Sequence, residues 1–373
     1  MSEGSTWFQR FLLPGFAFKA VVIGGGYATG RELAEYFLPS GPRGGLLGML
    51  LAMVIWSVVA AATFLFARTT GSRDYRTFFR KLLGPVWPVF EIAYLLFVVL
   101  ILSVFGASAG AIGAALFGWP TLGGTLALIG AIALFATFGN ESVERLFKYV
   151  TFFLYAVYAA FVVLALSTFG DKTVAAFAAP TPMDGWALGG LTYALYNIVG
   201  AIVILPVVRH MRSNRDAIGA GLLAGPLAMV PALLFFVCMV AFYPAVGAEA
   251  LPSDFLLARL NLPVFRLIFQ LMIFAALLES GTGSVHSVNE RISHALRDAG
   301  RAELSKRGRL LITMAVLVVS VFVANRYGLV TLIANGYRAL AYLFLAIYVL
   351  PLMTYGLWLV RQAKPGVGGA PVT

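Results

Sequence analysis

The run Gly24-Gly25-Gly26-Tyr27-Ala28-Thr29-Gly30-Arg31-Glu32 interrupts a stretch from Phe16 to Leu38 that otherwise reads as one membrane-crossing helix. Glycine is a poor helix former, and lipid tolerates irregular backbone only where protein covers it or a cavity lies beside it. The run therefore predicts a helix broken to make a site. After the break, Thr29 and Glu32 have the spacing of a capping box, in which hydroxyl and carboxylate satisfy orphan amides at the start of a second half-helix. A competing reading makes the glycines close-packing contacts between helices, but four in seven residues followed by a cap exceed what packing needs.

Composition fixes the class around this break. Hydrophobic residues make up 60% of the chain and charged residues 12%, with a mean hydropathy of +0.89; soluble domains carry about 25% charge. The chain reads as an all-α integral membrane protein with no room for a soluble domain. Cys238 is the single cysteine and sits in an apolar run, so neither a disulfide nor a cysteine metal site is expected. The apolar run after Arg10 is too long, and too charged within, for a signal peptide; it reads as the first span.

Runs of about 20 apolar residues give ten spans at 16–38, 44–67, 85–117, 122–138, 148–169, 187–209, 217–243, 262–292, 309–325 and 328–360. Between Gly247 and Leu260 the connection carries Glu249, Pro252 and Asp254 and reads as a short amphipathic external piece. With the N-terminus inside, 19 of the 27 basic residues fall in cytoplasmic segments, as the positive-inside rule requires. Both termini are then cytoplasmic, in what reads as a bacterial cytoplasmic (inner) membrane. That topology accounts for the net charge of +11: anionic lipid headgroups supply the counter-charge, and no nucleic-acid partner is required.

Five spans in each half, approximately 16–170 and 187–360, force the halves to be inverted relative to each other. Inverted repeats with paired broken helices mark transporters. A broken span one then demands a counterpart in span six, where Tyr193, Tyr196, Asn197, Gly200 and Pro206 stand. Asn197 is a mid-membrane amide, Gly200 weakens the helix and Pro206 removes a backbone bond.

Ten spans with a glycine-broken first and a broken sixth resemble the amino acid-polyamine-organocation superfamily, whose LeuT-type fold is a five-plus-five inverted repeat. More narrowly, Gly24 to Glu32 with the Glu-x-x-x-aromatic stretch that follows is similar to the YkvI-type membrane proteins. One departure is the absence of a mid-membrane tryptophan box: Trp87, Trp119, Trp186 and Trp358 stand near span ends, where interfacial anchoring explains them. A betaine or choline carrier with an aromatic cage is disfavoured accordingly.

Span eight is the second dense segment. Helical spacing puts Glu279, Gly283, His286 and Glu290 on one face and Ser280, Ser284 and Ser287 on the next. The resemblance implies a sodium ion held by Ser280, Thr282 and Ser284 with backbone oxygens near Gly24 and Tyr27, oxygen ligands being those a hard cation prefers; no other cofactor is expected. The same hydroxyls read equally well as bonded to their own helix. Glu279 is a candidate proton carrier, or else a structural partner of Arg31 or Lys19, and His286 a candidate relay or a structural histidine. Arg31, Glu32, Glu35 and Arg338 form a candidate external gate, closed where Arg338 meets Glu32 or Glu35. Glu91, Glu141 and Glu144 read as solvated or paired nearer the cytoplasm.

These features point to a secondary active transporter working by alternating access, coupled to sodium or protons. The substrate side is assigned to Gly24, Gly25, Gly26, Tyr27, Thr29, Gly30, Tyr193, Tyr196, Asn197 and Gly200. An amino acid or related small zwitterion fits best, because half-helix amino termini favour a carboxylate. An uncoupled channel, facilitator or lipid scramblase is the rival. No enzyme is expected: His210, His286 and His294 lack metal-ligand spacing with carboxylates, and a glycine run inside an apolar span lacks the strand-loop-helix context of a phosphate cradle. Oligomeric state is not legible.

Overall fold

The computed structural model describes residues 5–23, 28–138, 141–298 and 300–362. Secondary structure among them is helical throughout. Span one comes in two pieces, Leu13–Val22 and Arg31–Tyr36. Span two is Gly41–Thr69, followed by an amphipathic helix at Tyr75–Leu83. Spans three, four and five are Pro88–Phe117, Thr121–Phe138 and Glu141–Ala178. Span six is Trp186–Asn197 and Val199–Val203, running into a 3-10 turn at Leu205–His210. Span seven is Asn214–Val240 and span eight Pro263–Asp298, joined through a short helix at Pro252–Arg259.

Seven of the described helices are long and apolar enough to cross a bilayer. The last of these, Lys306–Gln362, runs for 57 residues, yet Gly328 inside it adopts φ 72° and ψ 167°. That turn makes it two spans, nine and ten. Adding the shorter apolar helix Thr121–Ala136 and the broken span one brings the number to ten. Outward-facing Val163, Val174, Leu311 and Phe322 are each at least 66% exposed, a pattern suited to lipid and hazardous in water.

Spans two and seven form the closest-packed pair. Ala217, Ala220, Ala224 and Ala228 of span seven are fully buried, as are Ala52, Trp56 and Ala60 of span two. Gly221 and Gly225 of span seven lie four residues apart. A Cβ on Gly221 would collide with the backbone of Ala61, and one on Gly225 with Met53 O and Ser57 Oγ. Approach this close lets the Ser57 hydroxyl donate to Leu222 O across the interface at 2.9 Å. Van der Waals contact between small residues is what holds helices together where lipid removes the hydrophobic drive.

Charges gather at the two ends. At the basic end Arg10 makes a two-pronged pair with Asp216 at 2.8 and 2.6 Å, and Arg309 meets Glu290 at 2.6 Å. There too Glu91 of span three stands between Arg76 of the amphipathic helix and Arg291 of span eight, 3.3 Å from each. Tyr75 donates to the same carboxylate at 2.8 Å; burial pushes its phenol up to about 12, against the pull of Arg291, so it stays a donor. Glu91 is thus a structural clamp joining three elements. Glu91→Gln should lower stability by about 1.5–3 kcal/mol, the range for hydrogen bonds to charged groups, seen as a lower unfolding midpoint in detergent. An unchanged midpoint would mean that the arginines find other partners. The side chains of Glu141 and Glu144 lie outside the described residues.

Candidate functional site

The first helix of span one ends at Val22, and Ile23 leaves helical geometry at ψ 78°. Gly24, Gly25, Gly26 and Tyr27, central to the expected site, lie outside the described residues. The chain re-enters helix through Gly30 at φ 79°, a left-handed position natural only to glycine. A Cβ there would also stand 2.5 Å from the ring of Phe235 in span seven.

The expected capping box does not form. Gly30, not Thr29, is the N-cap, which moves Glu32 one place toward the helix start and out of reach of the cap amide. Thr29 Oγ1 accepts from Arg31 N at 3.4 Å instead, while the carboxyl of Glu32 turns inward to span six. Tyr196 donates its hydroxyl to Glu32 Oε2 at 2.5 Å. Around that contact the Tyr196 ring stacks on Tyr337 of span ten, centroids 4.4 Å apart, and Tyr193 meets Tyr196 edge-on at 5.7 Å. Tyr36 closes the group, its hydroxyl donating to Ile333 O at 2.5 Å. Glu32, Tyr193, Tyr196 and Tyr337 are all at most 3% exposed.

The external gate is wired differently from expectation. Arg338 is exposed and pairs with neither Glu32 nor Glu35 in this conformation. Glu35 is taken by Arg31, one helical turn earlier, at 2.8 Å. Arg31 also donates to Gly247 O and Glu249 O, both at 2.8 Å, tying the second half of span one to the connection after span seven. The short helix there is also anchored, Ser253 N donating to Thr29 O at 2.9 Å. A neighbour four residues away satisfies Glu35 more cheaply than a long reach to Arg338 of span ten.

Glu279 pairs with neither Lys19 nor Arg31. It is half-buried and forms no ion pair among the described residues. On its face Gly283 has open space around it and His286 is exposed. The neighbouring hydroxyls bond to their own helix, Thr282 to Leu278 O and Ser284 to Ser280 O, each at 2.8 Å. A hydroxyl that donates backward keeps its lone pairs, so these oxygens still suit a hard cation, though here they are engaged locally. In span six Asn197 likewise donates to Tyr193 O at 3.1 Å. Gly200 is a packing position: a Cβ there would stand 3.1 Å from the Phe18 ring.

Two residues given no place in the expected substrate site, Trp56 and Lys19, are buried near it. Trp56 is fully buried in mid-span, a single tryptophan at that depth. It packs on Phe18 and Tyr193, each 5.4 Å away, and donates its indole N–H to Ala194 O at 3.1 Å. Lys19 is 8% exposed, and its ammonium lies 4.0 Å above the Tyr155 ring with no anion beside it among the described residues. Tyr155 lines a mainly apolar cavity of about 330 Å³ between Ile23 and Ala28 at the break, span five, and Pro231 and Met272 of spans seven and eight.

No family model matches the chain. The uncharacterized membrane protein YkvI of Bacillus subtilis is 23% identical over 337 residues, which span 89% of this chain and 92% of that protein. A sodium-coupled sialic acid symporter in a substrate-bound outward-open state superposes with a TM-score of 0.59 at 12% identity, covering 94% of this chain and 82% of its own. MhsT in complex with L-phenylalanine gives 0.58 at 14% identity, covering 97% and 98%. The chain has the LeuT-type fold. A manganese transporter of Eremococcus coleocola shares it too, with a TM-score of 0.55 at 17% identity over 95% of this chain and 81% of that one. In this LeuT-type arrangement the interrupted spans one and six lie against each other, Gly200 on Phe18 and Tyr196 on Glu32.

Signals for the missed residues were present. A lysine five residues before a break in an apolar span is a functional-site pointer on cost alone. Gly221 and Gly225 spell the small-xxx-small pattern.

Proposed function

We propose that the chain is a secondary active transporter of a small carboxylate-bearing solute, an amino acid or related zwitterion, moving it by alternating access with sodium or protons as the driving ion. One observation carries this reading. Lys19 and Glu32 flank the break of span one, both more than nine-tenths buried, and neither forms an ion pair among the described residues. Ionisable groups at membrane depth are costly, and they mark ligand and ion pathways when the protein supplies no partner. The ammonium of Lys19, steadied on Tyr155 by a cation-π contact, is the group for a substrate carboxylate.

The rest of the scheme follows the fold. Segments 16–170 and 187–360 are the two inverted halves, the basic end faces the cytoplasm with both termini, and Ser280, Thr282 and Ser284 are the oxygens for sodium if sodium drives transport. Counterflow in proteoliposomes with a panel of labelled amino acids, with and without sodium, tests the reading. Lys19→Met should raise KM for the responding solute at least tenfold, with Lys19→Arg recovering part of the loss. An unchanged KM would remove Lys19 from the site. Saturable counterflow of no solute, under any ion gradient, would move the chain to the facilitator or scramblase class.

A further inference from the structure

We propose that Glu32 is a proton-binding site, held as a neutral carboxylic acid inside a shell of tyrosines and opened to water when Tyr196 and Tyr337 part. Its use in coupling rests on the transporter reading above; its protonation does not.

Glu32 is 3% exposed, and among the described residues its one hydrogen bond comes from Tyr196. An ionised carboxylate in so apolar a place needs a cation or several donors, and without them it takes up a proton. Among the described residues, each charged or titratable group packed against it is otherwise engaged or uncharged. From its own helix, Arg31 points to Gly247 O, Glu249 O and Glu35, and Tyr36 donates to Ile333 O. Span six presents Tyr193 and Tyr196, and the π-helical turn of span ten presents Tyr337. Arg338, next in sequence, is exposed and makes no ion pair among the described residues. Lys19 lies over Tyr155. Among the described residues no cation reaches Glu32.

The same comparison moves the proton role away from Glu279. That side chain is half-buried on an open face beside Gly283 and His286, where no shell isolates it from changing surroundings. Glu32 instead sits where three elements of the fold meet: the second half of span one, span six and span ten. The stacked Tyr196 and Tyr337 rings are the closure. When they separate, water enters, the carboxylic O–H bond breaks and the proton leaves to a water molecule as hydronium. The carboxylate left behind keeps the Tyr196 hydrogen bond. Uptake of a proton from water on the other side reverses the step.

Infrared spectroscopy of the purified chain in lipid nanodiscs, titrated with pH, tests protonation without any substrate. The wild type should show, at neutral pH, a carboxylic C=O band that Glu32→Gln loses and Glu279→Gln keeps. Tyr196→Phe should move that band to higher frequency by removing its hydrogen bond. Identical neutral-pH spectra for wild type and Glu32→Gln would mean an ionised Glu32 and overturn the proposal. In vesicles, accumulation of the responding amino acid under a pH gradient, normalised to counterflow, should fall at least tenfold in Glu32→Gln. Retained accumulation would overturn the coupling role. A Glu32 band together with no counterflow of any solute would leave the proton site standing and remove the transporter reading, whereas counterflow without the band does the reverse.

Discussion

Gly221→Leu should leave no folded protein. The Cβ alone would enter the backbone of Ala61, and neither helix can retreat. Span seven is held on this face by Gly225 against Met53 O, and span two by Trp56 packed on Tyr193. Gly221→Ala should still fold but lose on the order of 1–3 kcal/mol, the usual range for overpacking. Gly130→Leu is the matched control, because Gly130 in span four is exposed with nothing within 4 Å of an added Cβ. Size-exclusion profiles of fluorescently tagged variants in mild detergent read the outcome: a monodisperse peak for Gly130→Leu, aggregate alone for Gly221→Leu. Equal profiles would mean that the two helices are not locked together in the folded protein. Wild-type function should survive Gly130→Leu, since that face meets only lipid.

Most of the architecture was legible because membrane helices announce themselves by composition. Ten spans, the break in span one and the helical connection near Asp254 all follow from local rules about apolar length, glycine and charge. Partner choice did not follow so readily. Arg31 and Glu35 are four apart on a helix, a pair that sequence spacing alone allows, yet the reading sent Arg338 to that carboxylate because its sign fitted. The tyrosine shell of Glu32 was beyond reach for a different reason. Tyr36, Tyr196 and Tyr337 come from three spans, and only the tertiary fold brings them within ring contact. Thr29 shows the limit of a motif: its spacing to Glu32 fits a capping box, but the left-handed Gly30 starts the helix one residue later. Gly221 and Gly225 are the opposite case, a pattern visible in the sequence whose partner backbone only the structure identifies.

Arg31, rather than Arg338, should control opening at the end of the bundle opposite the basic one. Arg31 is 4% exposed, and its guanidinium makes three charge-assisted bonds of 2.8 Å, to Glu35, Gly247 O and Glu249 O. Two of these fasten the connection after span seven to the moving half of span one. Hydrogen bonds to a charged group contribute about 1.5–3 kcal/mol each, and about 1.4 kcal/mol is a tenfold change in an equilibrium. Arg31→Gln should therefore shift the population toward the open form by tenfold or more. The reporter is Ser253→Cys, fully buried where its amide meets Thr29 O, in a background with the buried Cys238 replaced by alanine. Its rate of labelling by a polar maleimide in nanodiscs should rise at least tenfold with Arg31→Gln. Arg338→Glu should change it less than twofold, since Arg338 holds neither Glu32 nor Glu35. The reverse order, with Arg338→Glu opening the site and Arg31→Gln silent, would restore the long-range gate and reduce the Arg31 contacts to fixed supports of that end of the fold.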